Sequence, residues 1–151
     1  MIVFISFFLF PWSIFIILVK KSKFRTLFLT GIFASMLALL VNVLRHNFNW
    51  WSFNDVLIST IDVQIFADLG LYPVEAMLLI NFLPKKLYKW PIFIILFSIF
   101  NTFSEAILIN KNYLYYHNGW NIYYTFISYV IPFTLVIIHF FMYNYKKPCK
   151  N

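Results

Sequence analysis

The sequence predicts an all-α integral membrane bundle of five transmembrane helices, with the N-terminus outside and the C-terminus in the cytoplasm. Three observations carry that reading. Hydrophobic residues make up 62% of the 151 residues against 11% charged, and the mean hydropathy is +0.79, too apolar to cover a water-facing surface around one core. The apolar residues fall into blocks long enough to cross a hydrocarbon layer of roughly 30 Å, which takes about 20 residues of helix. The basic residues gather between those blocks, in alternate connections.

The first block, residues 1–19, is closed by Lys20, Lys21, Lys23 and Arg25. It has neither the positive leading region nor the small-residue cleavage pattern of a signal peptide, so it is expected to stay as an anchor. The second, 26–44, ends at Arg45 and His46. The third is irregular, because Trp51 to Leu83 is 33 residues long and carries Asp55, Asp62, Gln64 and Asp68 in its first half. Residues 53–61 read as an outer amphipathic or re-entrant stretch and 64–83 as the crossing part, bent by Pro73. The fourth, 90–109, opens on the pair Trp90-Pro91, which suits a helix start, and leads to a polar loop over 110–121. The fifth, 122–143, is closed by Lys146, Lys147 and Pro148. With no internal repeat or soluble segment of useful size, residues 1–151 read as a single membrane domain.

Orientation follows from charge. The first, third and last polar segments hold ten of the 12 Lys and Arg residues, leaving Arg45 and Lys111 for the other two connections. Short cytoplasmic segments keep positive charge, so the three rich segments are placed inside. Trp50, Trp51, Trp120, Tyr113, Tyr115, Tyr116, Tyr123 and Tyr124 collect at the outer ends, and Tyr88, Trp90, Tyr143 and Tyr145 at the inner ends, as an aromatic belt on both interfaces.

Composition also excludes function classes. A formal charge of +7 in a soluble protein points to nucleic acid, but here the cations sit between apolar blocks rather than on one face, so no nucleic-acid partner is expected. Three glycines and the single Cys149 leave no phosphate loop, disulfide scaffold or CxxC knuckle. The topology separates His46, His117 and His139, and no serine stands in GxSxG, so the sequence predicts no metal, no cofactor and no enzyme. Lys outnumbers Arg ten to two beside abundant Phe, Tyr, Ile and Asn, a bias of AT-rich codons. A low-GC bacterium and its plasma membrane are the expected source and location.

Carboxylates inside spans are the residues to explain, since a charge at bilayer depth costs at least about 2.5–3.5 kcal/mol. Asp68, Glu75 and Glu105 qualify. Asp68 and Glu75 are separated by about 700° of helix, so they share a face to within ~20°, with Tyr72 between them. Glu75 falls near mid-bilayer, and Asp68 and Glu105 fall at similar depth toward the outer leaflet, where the two are expected to face each other. Ser98, Asn101, Thr102 and Glu105 form one polar stripe on the fourth helix. Weaker stripes run through Ser35, Ala38, Asn42 and Arg45 on the second and Ser128, Pro132, Leu135 and His139 on the fifth. Arg45 either supplies a counter-charge to Asp68 or Glu105 or snorkels to the headgroups. Pro73 frees the Leu69 carbonyl beside Gly70, in a turn that either binds an ion or substrate or only shapes packing. The candidate buried polar site is therefore Asp68, Tyr72, Pro73, Glu75, Asn101 and Glu105.

The Trp-rich outer loop, Asp68, Tyr72, Pro73, the basic inner loop, Glu105 in the fourth span and Trp120 opening the fifth together resemble an uncharacterised family of small multi-spanning membrane proteins of spore-forming, low-GC Gram-positive bacteria. The resemblance covers roughly residues 50–143 on scattered positions. It implies the membrane topology and no activity.

Two functions fit these features. The favoured one is a non-enzymatic accessory or partner subunit of a membrane assembly, in which the polar stripes fasten helices through bonds of roughly 0.6–2 kcal/mol each. The alternative is a small proton- or cation-coupled transporter or channel using the buried carboxylates. A lipid-modifying enzyme using Asp55 or His46 at headgroup level is a third reading. The partners expected are the lipid bilayer and either another membrane protein or further copies of the chain.

Overall fold

Apolar stretches poor in glycine satisfy their backbone polar groups most readily as helix, and helices form along all five blocks. The computed structural model describes residues 5–54 and 60–145. Within them lie α1 (Ile5–Leu18), α2 (Lys21–Phe48), α3 (60–82), α4 (Trp90–Asn110) and α5 (Ile122–Tyr145), with two short strands, β1 (Trp51–Phe53) and β2 (Leu114–Tyr116). The expectations placed on Asp55, Lys146, Lys147, Cys149 and the first four residues, and on the Asp62 side chain, lie outside the described residues.

The fold is all-α apart from that strand pair, and four helices among the described residues are long and apolar enough to cross a membrane: α2, 63–82 of α3, 87–110 and 122–143. The shorter apolar α1 begins as a π turn over Ile5–Leu9 and its described part rises only about 21 Å, at 1.5 Å per residue. By contrast α2 is longer than its apolar block, at 28 residues. Its first turn takes in Lys21 and Lys23, good helix formers, and Lys23 Nζ donates to Asn81 Oδ1 at 3.2 Å. It ends where Asn49 turns left-handed, at φ 49°, a conformation asparagine tolerates better than most residues.

At one end of the bundle, Phe53, the first residue of the stretch expected over 53–61, closes a strand of residues 51–53, and residues 55–59 of that stretch lie outside the described residues. The strand is β1, which pairs antiparallel with β2 in the register Trp51↔Tyr116, Ser52↔Tyr115 and Phe53↔Leu114. The α2–α3 and α4–α5 connections are thereby tied across the mouth of the bundle, each giving the other's backbone the partners it needs.

α3 is the most enclosed of the long helices and α4 the least. The core around α3 holds Phe15, Leu27, Val74, Met77, Leu79 and Val136. Leu96, Ile99, Phe100 and Phe103 on α4 point outward, an apolar surface of the kind that lipid or a partner covers. The irregularity in α3 takes the form of a π turn over Ala67–Leu71, immediately before Tyr72 and Pro73. Proline has no N–H to close the ladder, and Trp12 Nε1 of α1 donates to the Leu69 carbonyl at 3.2 Å. In this structure that carbonyl therefore holds α1 against α3. Gly70 permits the approach, since a Cβ there would lie 2.6 Å from the Phe8 Cα and closer still to the Phe7 carbonyl oxygen.

Candidate functional site

Small residues on facing helices leave space that larger ones would fill. Ala34 and Ala38 on α2 and Ala67 and Ala76 on α3 line a cavity of about 90 Å³, large enough to admit water. The polar groups on its wall are Asn42, Gln64, Tyr72, Glu105, Ser128 and Tyr129. Trp51 and Phe53 of β1 and Leu114 of β2 also line it, so the strand pair caps it at one end.

Glu105, half-buried on α4, is the carboxylate of this wall. Both of its oxygens are engaged: Tyr129 OH donates to Oε1 at 2.6 Å and Tyr116 OH to Oε2 at 2.9 Å. Tyr116 hydroxyl is 2.7 Å from Thr125 Oγ1, which accepts from Trp120 Nε1 at 2.9 Å. Because a carboxylate only accepts, the sense of this chain is fixed: Trp120 donates to Thr125, Thr125 to Tyr116, and Tyr116 to Glu105. Burial, and then the neighbouring Glu105 charge, push the Tyr116 phenol upward from its ordinary value, which keeps it a donor.

Asp68 lies in the π turn and is 2% exposed. Asn42 Nδ2 donates to both of its oxygens, at 3.0 and 2.8 Å, and Ser35 Oγ donates to its backbone carbonyl at 2.6 Å. No hydrogen bond joins Asp68 to Glu105; each is satisfied by its own donors. Arg45 is buried as well. Its Nη1 donates to the Trp51 carbonyl at 2.9 Å, and with the Gln64 amide turned to suit both side chains, the Gln64 oxygen accepts from the same guanidinium. Arg45 thus braces the cap and makes no ion pair with Asp68 or Glu105, and its burial separates it from a snorkelling arginine.

No family model, curated protein or solved structure matches the chain. The site is accordingly read from its own chemistry.

Glu75 stands apart. It is 6% exposed, with the Asn101 side chain as its polar neighbour, while Asn101 Nδ2 itself donates to the Phe97 carbonyl at 3.0 Å. Glu75 Oε2 and, on α4, Ser98 Oγ are buried with no hydrogen-bond partner among the described residues. Tyr72 lies between the two halves of the site. Its phenol is beside that of Tyr129 and within electrostatic range of Glu105, Asp68 and Glu75. Of the residues singled out from sequence, the fold brings Tyr72, Glu75, Asn101 and Glu105 into one neighbourhood, gives Asp68 its own clamp, and uses Pro73 for the α1 contact.

Sequence reasoning missed Tyr129, Tyr116, Thr125 and Gln64 as site residues. Tyr129 sits next to the predicted stripe residue Ser128, and its hydroxyl was the one available signal. Tyr116 read as an interfacial aromatic because nothing local records the strand pair that aims it inward. Among the described residues no three His, Cys, Asp or Glu side chains gather as metal ligands would. His139 stacks on Phe33, with ring centres 4.1 Å apart.

Proposed function

We propose that the chain is a multi-pass protein of a bacterial plasma membrane that holds a small cation, the proton included, at Glu105 and acts as a small transporter or channel. The observation that carries this is a carboxylate gripped by two tyrosines on the wall of a capped cavity. An ionisable side chain at membrane depth is costly, and a water-sized void beside one is what a permeating ion or proton needs. In this reading α1 belongs to a fifth crossing. The N-terminus is outside, and the Lys-rich connections face the cytoplasm.

The test is flux. Purified protein in liposomes, with an internal pH dye and a panel of monovalent cations, is expected to pass protons or one cation. Glu105→Gln is expected to abolish that flux while the protein stays folded in detergent. Equal flux in wild type and variant rejects the reading.

A second reading is supported by the outward row Leu96, Ile99, Phe100 and Phe103 on α4. It is a non-enzymatic accessory subunit, in which that face meets another membrane protein and the buried polar groups fasten helices. Co-purification of one stoichiometric partner, lost on Phe100→Ser with Phe103→Ser, supports it; isolation as the free chain from native membranes rejects it.

A further inference from the structure

We propose that the species handled at the cavity is the proton, and that it passes between Glu75 and Glu105 through the phenols of Tyr72 and Tyr129. The proposal rests on the reading of Glu105 as the cavity carboxylate and adds the species and its route.

The donor set argues for a proton over a metal cation. A cation such as sodium needs several oxygen lone pairs turned toward it, whereas both Glu105 oxygens already face O–H donors, at 2.6 and 2.9 Å. The groups beyond Glu105 are those a proton uses. Tyr129 OH donates to Glu105 Oε1, the Tyr72 phenol adjoins that of Tyr129, and both rings line the cavity. Glu75 follows Tyr72 by three residues on the same helix, a spacing that puts the two side chains on one face. At the far terminus Glu75 Oε2 is buried with no hydrogen-bond partner among the described residues, so it is open to accept or give a proton once the Tyr72 hydroxyl turns toward it.

The step balances. A protonated Glu75 gives its O–H proton to the Tyr72 oxygen as the Tyr72 proton passes to the Tyr129 oxygen and the Tyr129 proton passes to Glu105 Oε1. Each phenol loses one O–H bond and gains another. Glu75 is left as the carboxylate, and Glu105 becomes the carboxylic acid. The observed Tyr129-to-Glu105 hydrogen bond has the polarity for this direction, and rotation of both hydroxyls resets the relay for the reverse one. Among the described residues Arg45 and Asp68, charged groups near the cavity, stay outside the path because each is bonded elsewhere.

The experiment is proton flux into dye-loaded liposomes for wild type, Glu105→Gln, Tyr129→Phe, Tyr72→Phe and the double phenylalanine variant. Each single phenylalanine change is expected to slow flux about a hundredfold, the low end for loss of a positioned proton-transfer group. The double variant is expected to be no slower than the singles, since both lie on one route. Flux that is abolished by Glu105→Gln but untouched by Tyr129→Phe and Tyr72→Phe overturns the relay and leaves the cavity reading standing; flux untouched by Glu105→Gln removes the cavity reading itself. If Tyr129→Phe does not fold, fluorotyrosine at positions 72 and 129 keeps the shape and changes only phenol acidity. A rate that follows that acidity supports the relay, and an unchanged rate overturns it.

Discussion

Glu105 and Glu75 sit on neighbouring helices of one bundle, and their surroundings are opposite. Glu105 lies on a cavity wall and has a tyrosine hydroxyl on each oxygen. Glu75 lies buried in the chain segment of the buried Val74, Ala76 and Met77, and keeps one oxygen without a partner among the described residues. The difference teaches where a buried carboxyl serves structure and where it is tolerated for another reason. A group with two donors is held by them and holds them in turn; a group with an orphaned oxygen contributes little to the fold that an apolar side chain of similar size would not.

The contrast breaks first at Glu105. Glu105→Ala strands the hydroxyl of Tyr129 and leaves that of Tyr116 with Thr125 alone, and is expected to lower stability by about 1–3 kcal/mol for the hydroxyl left unsatisfied, read as a fall in the thermal midpoint in detergent. Glu75→Met is expected to be neutral or stabilising by the same assay, because it replaces a partly unsatisfied polar group with a flexible apolar one. A Glu75→Met loss as large as that of Glu105→Ala would erase the distinction. Next in size, Asn42→Leu removes the only side-chain donor to the Asp68 carboxylate among the described residues and is expected to cost about 1–3 kcal/mol. Asp68→Leu in that background should recover part of the loss, since the two then fail as one pair. Trp12→Phe removes the donor to the Leu69 carbonyl and is expected to cost about 0.5–1.5 kcal/mol, with α1 the first helix to become susceptible to protease.

The smallest effect is electrostatic. The Tyr116 phenol is raised by burial and then by Glu105, so it binds its proton more tightly folded than unfolded. Its contribution is full below the unfolded value of about 10 and declines as pH climbs above it. Alkaline denaturation of Tyr116→Phe is expected to lose this segment of the pH dependence, while the neutral-pH midpoint falls only by the two lost hydrogen bonds, to Glu105 and from Thr125.

Much of the helical plan was legible because apolar blocks and charge runs are local. Pro73 marked the break in α3 correctly, although the distortion appears as a π turn just ahead of it rather than at the proline. The polar stripe ending at Glu105 was also visible from helical spacing. What was not visible depends on long-range closure. The β1–β2 pair joins residues separated by more than sixty positions, and it alone turns Tyr116 from an interfacial aromatic into a ligand of Glu105. Arg45 likewise looked available to Asp68 or Glu105, whereas its Nη1 donates to the Trp51 carbonyl of the cap. The Leu69 carbonyl looked like an open ligand until Gly70 let α1 and its indole come close.

The most direct measurement is infrared difference spectroscopy of the carboxyl stretch in the reconstituted protein after a pH step, with bands assigned by Glu105→Gln and Glu75→Gln. Proton handling at the cavity requires a Glu105 band that changes reversibly with the step, and a Glu75 band that follows it in wild type but not in Tyr129→Phe. Carboxyl bands that stay fixed across the step, in vesicles that pass no protons, would contradict the account and leave both glutamates as structural members of the bundle.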